Sequence, residues 1–261
     1  MSRVFITGST DGLGLMAARL LAGQGHQVTL HARNGTRAAD ARAALPEAAA
    51  VVTGDLAGIA ETRSVADQVN ALGRHDAVIH NAGVGYRGPR VVTADGLSQV
   101  FAVNVLAPYL LTALITPPGR LVYLSSGMHR GGAADLTDAQ WARRRWNGAQ
   151  AYSDSKLFDI LLAFGVARQW PGVRSNSVDP GWVATKMGGP GAPGDLAEGA
   201  VTQAWLAVSD DSAAGVSGEH FYHRRRQPTH PDARSAARQD ALLDYCARLS
   251  GTALPDAPAS G

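Results

Sequence analysis

The sequence predicts a single α/β domain built on a doubly wound, parallel, seven-stranded sheet with helices on both faces. Three observations carry this. Short β-branched or apolar runs alternate with longer helical patterns along nearly the whole chain. The first strand runs directly into a glycine cluster that opens a helix. No linker and no internal repeat divides the 261 residues.

Taken in order, residues 4–7 (Val-Phe-Ile-Thr) read as the first strand. Leu13, Met16, Ala17, Leu20 and Leu21 then recur at i, i+3, i+4, i+7 and i+8, one face of a helix, which Gly25 closes. Strands at 27–31, 50–53, 77–81, 120–125 and 174–178 are followed by helical patterns at 36–45, 61–72, 96–114, 151–169 and 196–208. A last strand at 219–222 precedes a helix at 233–249. Strand-to-strand connections through helices imply parallel pairing buried on both sides. The stretch 187–195 holds Gly188, Gly189, Pro190, Gly191, Pro193 and Gly194 and reads as a mobile loop. Residues 1–251 form the domain, and the Pro/Ala/Gly-rich residues 252–261 read as a flexible tail.

Composition narrows the function. A formal net charge of +2 gives no reason to expect nucleic acid or an acidic membrane as partner. The single cysteine, Cys246, rules out an internal disulfide framework and fits a reducing cytoplasm. No stretch approaches the roughly 20 apolar residues of a membrane span, so a soluble, cytoplasmic protein is expected. The eight histidines lack metal-ligand spacing, and there is no Gly-x-Ser-x-Gly nucleophile elbow. The arginine runs at 143–145 and 224–226 read as solvated loop surface.

Thr7-Gly8-Ser9-Thr10-Asp11-Gly12-Leu13-Gly14 joins the first strand to the first helix. Glycines there let the backbone turn tightly and approach a pyrophosphate, which the free N–H groups of a helix N-terminus attract. Dinucleotide sites that bind a ribose 2′-hydroxyl usually place a carboxylate about 20 residues further on. Here His31-Ala32-Arg33-Asn34 has none, and Arg33 could instead pair with a 2′-phosphate.

Tyr152-Ser153-Asp154-Ser155-Lys156 places a phenol and an ammonium at i and i+4, on one helix face. A free tyrosine has a pKa near 10, too high for efficient proton exchange at neutral pH, and a neighbouring cation favours the phenolate. Leu121-Val122-Tyr123-Leu124-Ser125-Ser126 is a strand ending in serines, and Asn104 lies within the apolar run Phe101-Ala102-Val103-Asn104-Val105. Asp55-Leu56, Asn81-Ala82-Gly83 and Asp179-Pro180-Gly181-Trp182-Val183-Ala184-Thr185 each follow a strand; taken singly, each reads as ordinary turn chemistry.

In this order, with the spacing Gly-x-x-x-Gly-x-Gly, these motifs resemble the short-chain dehydrogenase/reductase family from Val4 to about Gly251. The stretch Trp141-Ala142-Arg143-Arg144-Arg145-Trp146 and Ser155-Lys156-Leu157 are similar to its retinol-dehydrogenase-like branch. The connection Leu114-Ile115-Thr116-Pro117-Pro118-Gly119 is shorter than that branch leads one to expect.

The resemblance implies a Rossmann-fold oxidoreductase that moves hydride between NADP(H), rather than NAD(H), and a carbonyl or alcohol. It implies Tyr152 as acid/base, Lys156 tuning it, and Ser126 holding the substrate oxygen, with Ser125 the alternative should the register slip by one. Asn104 is implied to complete a water-linked proton relay. Cofactor contacts are implied at Gly8, Ser9, Thr10, Asp11, Gly12, Leu13, Gly14, Arg33, Asp55, Leu56, Asn81, Ala82, Gly83, Tyr152, Lys156, Pro180, Gly181, Val183 and Thr185, and no metal. Met128, His129, Trp141, Trp146, Trp182 and Met187 are candidate walls for a lipophilic substrate. A homodimer or homotetramer paired through the helices beginning near Gly96 and Ala151 is also implied. The competing reading is a non-catalytic NADP(H)-binding regulator on the same fold.

Overall fold

A computed structural model describes residues 1–258. The strands are β1 (Arg3–Ile6), β2 (Gln27–Ala32), β3 (Ala50–Thr53), β4 (Ala77–His80), β5 (Arg120–Leu124), β6 (Arg174–Asp179), β7 (His220–Tyr222) and β8 (Arg225–Arg226). They form one sheet in the order β3-β2-β1-β4-β5-β6-β7-β8, parallel throughout except for the last pair. The order reverses at β1, so the crevice beyond the carboxyl ends of β1 and β4 is the natural ligand site.

Seven strands match the sequence pattern to within a residue at each end. The eighth is an antiparallel addition at the sheet edge that the pattern did not show. It is two residues long, and its turn carries His223 (φ 47°) and Arg224 (φ 62°), not the Asn-Gly pair that usually marks such a hairpin.

Side-chain alternation divides the core. Val4, Ile6, Val28, Leu30, Ala77 and Ile79 face one layer, made by α1 (Gly12–Gly23), α2 (Gly35–Ala44) and α7 (Leu196–Val208). Phe5, Val52, Val78, Leu121 and Tyr123 face the other, which contains α3 (Ile59–Ala71), α5 (Ala107–Leu114), α6 (Gly148–Gln169) and α8 (Ala236–Ser250). The helical pattern at 96–114 resolves into a short α4 (Gln99–Phe101), a π-helical turn (Ala102–Leu106) and α5. Asn104 sits in that π turn, a feature that often marks functional positions. The pattern at 233–249 resolves into a 3₁₀ turn (Pro231–Arg234) and α8, which Ser235 caps by accepting from Arg238 N–H.

The expected loose tail is tied down as far as Pro255. Thr252 O accepts from Tyr109 Oη at 2.8 Å, Thr252 Oγ1 from Arg63 Nη2 at 2.6 Å, and Pro255 O from Trp170 Nε1 at 2.9 Å. Composition could not show this, because the partners lie on helices far away in the chain. Residues 259–261 of that tail lie outside the described residues.

Candidate active site

The glycine loop is held open by its neighbours. Asn81 Nδ2 donates to Thr7 O and Gly8 O, both at 3.0 Å, and Ala82 N–H donates to Thr7 Oγ1 at 2.9 Å. Gly8 (φ 61°) and Gly12 (φ 53°) take left-handed conformations. A Cβ on Gly14 would lie 2.4 Å from Asn81 Nδ2 and 2.5 Å from Gly8 O. No side chain caps the first turn of α1, so its N–H groups at Gly12, Leu13 and Gly14 are available to an anion. This cradle fits the pyrophosphate of a dinucleotide.

Several expected contacts have a different first duty. The Ser9 hydroxyl is fully buried, donating to Ile6 O and accepting from His31 N–H, so it braces the loop from below. Asp55 Oδ1 accepts from Ala57 N–H at 2.9 Å and shapes its turn, while Leu56 is core. Thr10 and Asp11 are partners of a residue that sequence reasoning missed. Arg37 Nη2 donates to Thr10 Oγ1 at 2.8 Å and pairs with Asp11 Oδ2 at 2.7 Å. Asp11 also takes Lys186 Nζ at 2.7 Å. Arg33 lies exposed at the end of β2, with Arg37 one helical turn beyond. The four-residue spacing from Arg33 was the available signal, but nothing local tells such an arginine from a solvated one.

His31 was also missed. It is buried, its Nδ1 accepts from Gly8 N–H at 3.0 Å, and its Nε2 meets Gly54 O at 2.9 Å. That pattern requires the neutral ring, and burial holds its pKa below the usual value.

At the carboxyl ends of β4, β5 and β6 lies a cavity of about 660 Å³. Its lining includes Leu13, Tyr86, Ser126, Met128, Tyr152, Pro180, Gly181, Trp182, Val183, Thr185, Met187 and Tyr222. Trp182, Met128 and Met187 are therefore walls, as expected. His129 is instead buried against His220, ring centroids 4.8 Å apart, with Nδ1 bonded to Ser126 O. Trp141 and Trp146 meet edge to face with centroids 5.8 Å apart, and Arg144 lies 3.6 Å over Trp141 while pairing with Asp154. That arginine pins the insertion to α6 and is not free surface.

Hydrogen bonding distinguishes the two serines, both of which line the cavity. Ser125 Oγ donates to Lys156 O at 2.7 Å and is buried, whereas Ser126 caps the following turn and faces the Tyr152 phenol. Tyr152 Oη points at Met187 Sδ, 3.7 Å away, and its ring packs on Tyr86 at 5.5 Å between centroids. Burial raises its pKa, Lys156 lowers it, and Asp159 raises it again, with the net direction upward.

Lys156 Nζ stands 5.5 Å from the Tyr152 ring centroid. Asn104 Oδ1 accepts from Val84 N–H at 2.8 Å, and its Nδ2 donates to Val84 O and Ser155 Oγ. It thus ties the loop after β4 to α6. A Cβ on Gly83 would lie 3.5 Å from Asn104 Oδ1 and 3.7 Å from Lys156 Nζ, so the three converge. Thr185 Cγ2 comes within 3.7 Å of the same construction on Gly12, which places the Pro180–Thr185 loop over the glycine loop.

A nucleotide cradle joined to a cavity lined by Ser126 and Tyr152, with Lys156 behind the tyrosine, defines a Rossmann-type oxidoreductase. The short chain dehydrogenase family model matches residues 2–193, and the chain belongs to that family. An uncharacterized oxidoreductase of Emericella nidulans is 45% identical over 98% of this chain and 99% of its own. Human retinol dehydrogenase 13 is 31% identical over 97% and 85%, in line with the retinol-dehydrogenase-like features of the sequence. The crystal structure of an uncharacterized protein from Mycobacterium paratuberculosis superposes with a TM-score of 0.84 at 28% identity, covering 98% and 95% of the two chains. A blue fluorescent protein from a metagenomic library, solved with NADPH, shares the fold at 23% identity and a TM-score of 0.69, over 84% and 95%. Among the described residues no helix is long and apolar enough to cross a membrane.

Proposed function

We propose that this oxidoreductase is an NADPH-dependent carbonyl reductase, with Tyr152 as proton donor. The observation that carries this is that Ser126 and Tyr152 line one cavity beside the uncapped first turn of α1, with Lys156 Nζ 5.5 Å behind the Tyr152 ring centroid. The nicotinamide cofactor supplies the hydride. Gly12, Leu13 and Gly14 hold its pyrophosphate, and Arg33 with Arg37 favours a 2′-phosphate. Asn81, Ala82 and Gly83 back the adenosine side, and Pro180, Gly181, Val183 and Thr185 the nicotinamide side. Ser126 hydrogen-bonds the substrate oxygen, Tyr152 Oη gives it a proton, and Lys156 orients the ribose and stabilises the phenolate left behind. Met187 must leave Tyr152 Oη for a substrate oxygen to reach it.

Tyr86, Trp182, Tyr222, Met128 and Met187 make the walls largely apolar or aromatic, which suits a lipophilic or aromatic ketone or aldehyde. Pairing of copies through α5 and α6 finds those helices already buried, with α8 and residues 252–255 packed against them. Any self-association would use another surface. The test is NADPH consumption against carbonyls that differ in chain length and ring content. Turnover should fall by about 10²–10⁴ in Tyr152→Phe with NADPH binding retained. A variant that binds NADPH and keeps full turnover would favour the regulatory reading instead.

A further inference from the structure

Asp159 is a buried carboxylate for which the reaction just described has no use. It lies three residues beyond Lys156 and seven beyond Tyr152, so all three side chains fall on one face of α6. Lys156 Nζ donates to Asp159 Oδ2 at 2.8 Å and to Leu124 O at 2.8 Å, and the paired side chains are only 5% and 3% exposed. An ammonium has three N–H donors. Two are committed inside the protein, which leaves one for a ribose hydroxyl.

We propose that Asp159 is the counter-ion and positioning residue of Lys156, balancing its charge in the resting enzyme so that Tyr152 stays a phenol ready to donate. This rests on the reading of Tyr152 as proton donor. A lone ammonium beside the ring would favour phenolate. With a carboxylate in contact on its far side, the tyrosine feels a compact ion pair whose field falls off faster than that of a bare charge.

The ionisation directions bear on the same geometry. Burial works against the Lys156 charge, but Asp159 reverses this and the net direction is upward. Burial likewise pushes the Asp159 carboxyl up, against the pull of Lys156. These two tendencies oppose each other. The 2.8 Å contact and the second acceptor at Leu124 O favour the ion pair at neutral pH. Other titratable groups facing the trio are Asp179 at the end of β6 and Tyr86, both toward Tyr152, and Tyr123 of β5, toward Asp159. Asn104 and Ser155, from the π turn and α6, bring no charge.

The test is Asp159→Asn, which keeps shape and an acceptor oxygen but removes the charge. Seven helical residues put that charge roughly 10 Å from the phenol. At an effective dielectric near 20, its removal moves the tyrosine's ionisation down by about one pH unit. The alkaline limb of kcat/KM for carbonyl reduction should therefore shift down by about one unit in D159N and return in Asp159→Glu. An independent readout needs no substrate. Ultraviolet difference titration of cofactor-free protein against the matching Tyr152→Phe background should show the Tyr152 phenolate emerging about one unit lower in D159N than in wild type. An unmoved titration in folded D159N overturns the proposal. Should D159N not fold, the same titration in Asp159→Ser decides: a Tyr152 phenolate emerging about one unit lower than in wild type supports the proposal, and an unmoved titration overturns it. Because this reading is independent of turnover, its failure is separable from failure of the carbonyl-reductase assignment.

Discussion

Replacing Gly14 with Ala places one methyl group where the glycine loop has no room. The added Cβ would sit 2.4 Å from Asn81 Nδ2 and 2.5 Å from Gly8 O, against roughly 3.4 Å for an ordinary contact. Asn81 would have to give up its hydrogen bonds to Thr7 O and Gly8 O, each contributing about 1 kcal/mol. The residual overpacking costs about 1–3 kcal/mol more, and the better helix propensity of Ala returns only about 1 kcal/mol. A net loss of about 2–4 kcal/mol is expected in urea unfolding followed by circular dichroism. NADPH titration by fluorescence should show at least tenfold weaker binding, because Gly8 and the first turn of α1 move together. The internal control is Gly23→Ala at the other end of the same helix, where a Cβ would meet nothing within 4 Å. That variant should be neutral or up to about 1 kcal/mol more stable. If the two variants behaved alike, or if Gly14→Ala bound NADPH normally, the cradle would not work as described.

Arg37→Ala should weaken NADPH more than NADH in paired titrations, as should Arg33→Ala; equal losses for both cofactors would assign these arginines a structural role. Burial holds His80 and His220 down to about 3, so the unfolded chain takes up protons first as pH falls. Stability should be full above about 6.5 and then drop by up to about 1.4 kcal/mol per unit for each such ring, with a shallower slope in His80→Gln unfolded at the same pH values. Ending the chain at Gly251 strands the Tyr109, Arg63 and Trp170 donors. It should cost about 2–4 kcal/mol by urea unfolding, whereas a freely moving tail would cost nothing.

Much of this molecule is written in local pattern. Alternation along Val4, Phe5 and Ile6 and the helical recurrence from Leu13 to Leu21 need only backbone period and burial, and they place seven strands and the helices between them correctly. The glycine loop, the serine-ended strand and the Tyr152/Lys156 pair were legible for the same reason, since each is a short run whose chemistry depends on fixed spacing. What the tertiary structure decided are pairings between residues distant in the chain or among chemically equivalent neighbours. Ser125 and Ser126 both line the cavity, but the Ser125 hydroxyl is taken by Lys156 O, which leaves that of Ser126 to face Tyr152. Asn104 spends its amide on Val84 and Ser155, and Arg37 reaches back to Thr10 and Asp11. The tail docks on Tyr109 and Trp170 because carbonyls there satisfy buried donors. A hydrogen bond's partner is chosen by what folding brings within 3 Å, and spacing along the chain carries no record of that choice.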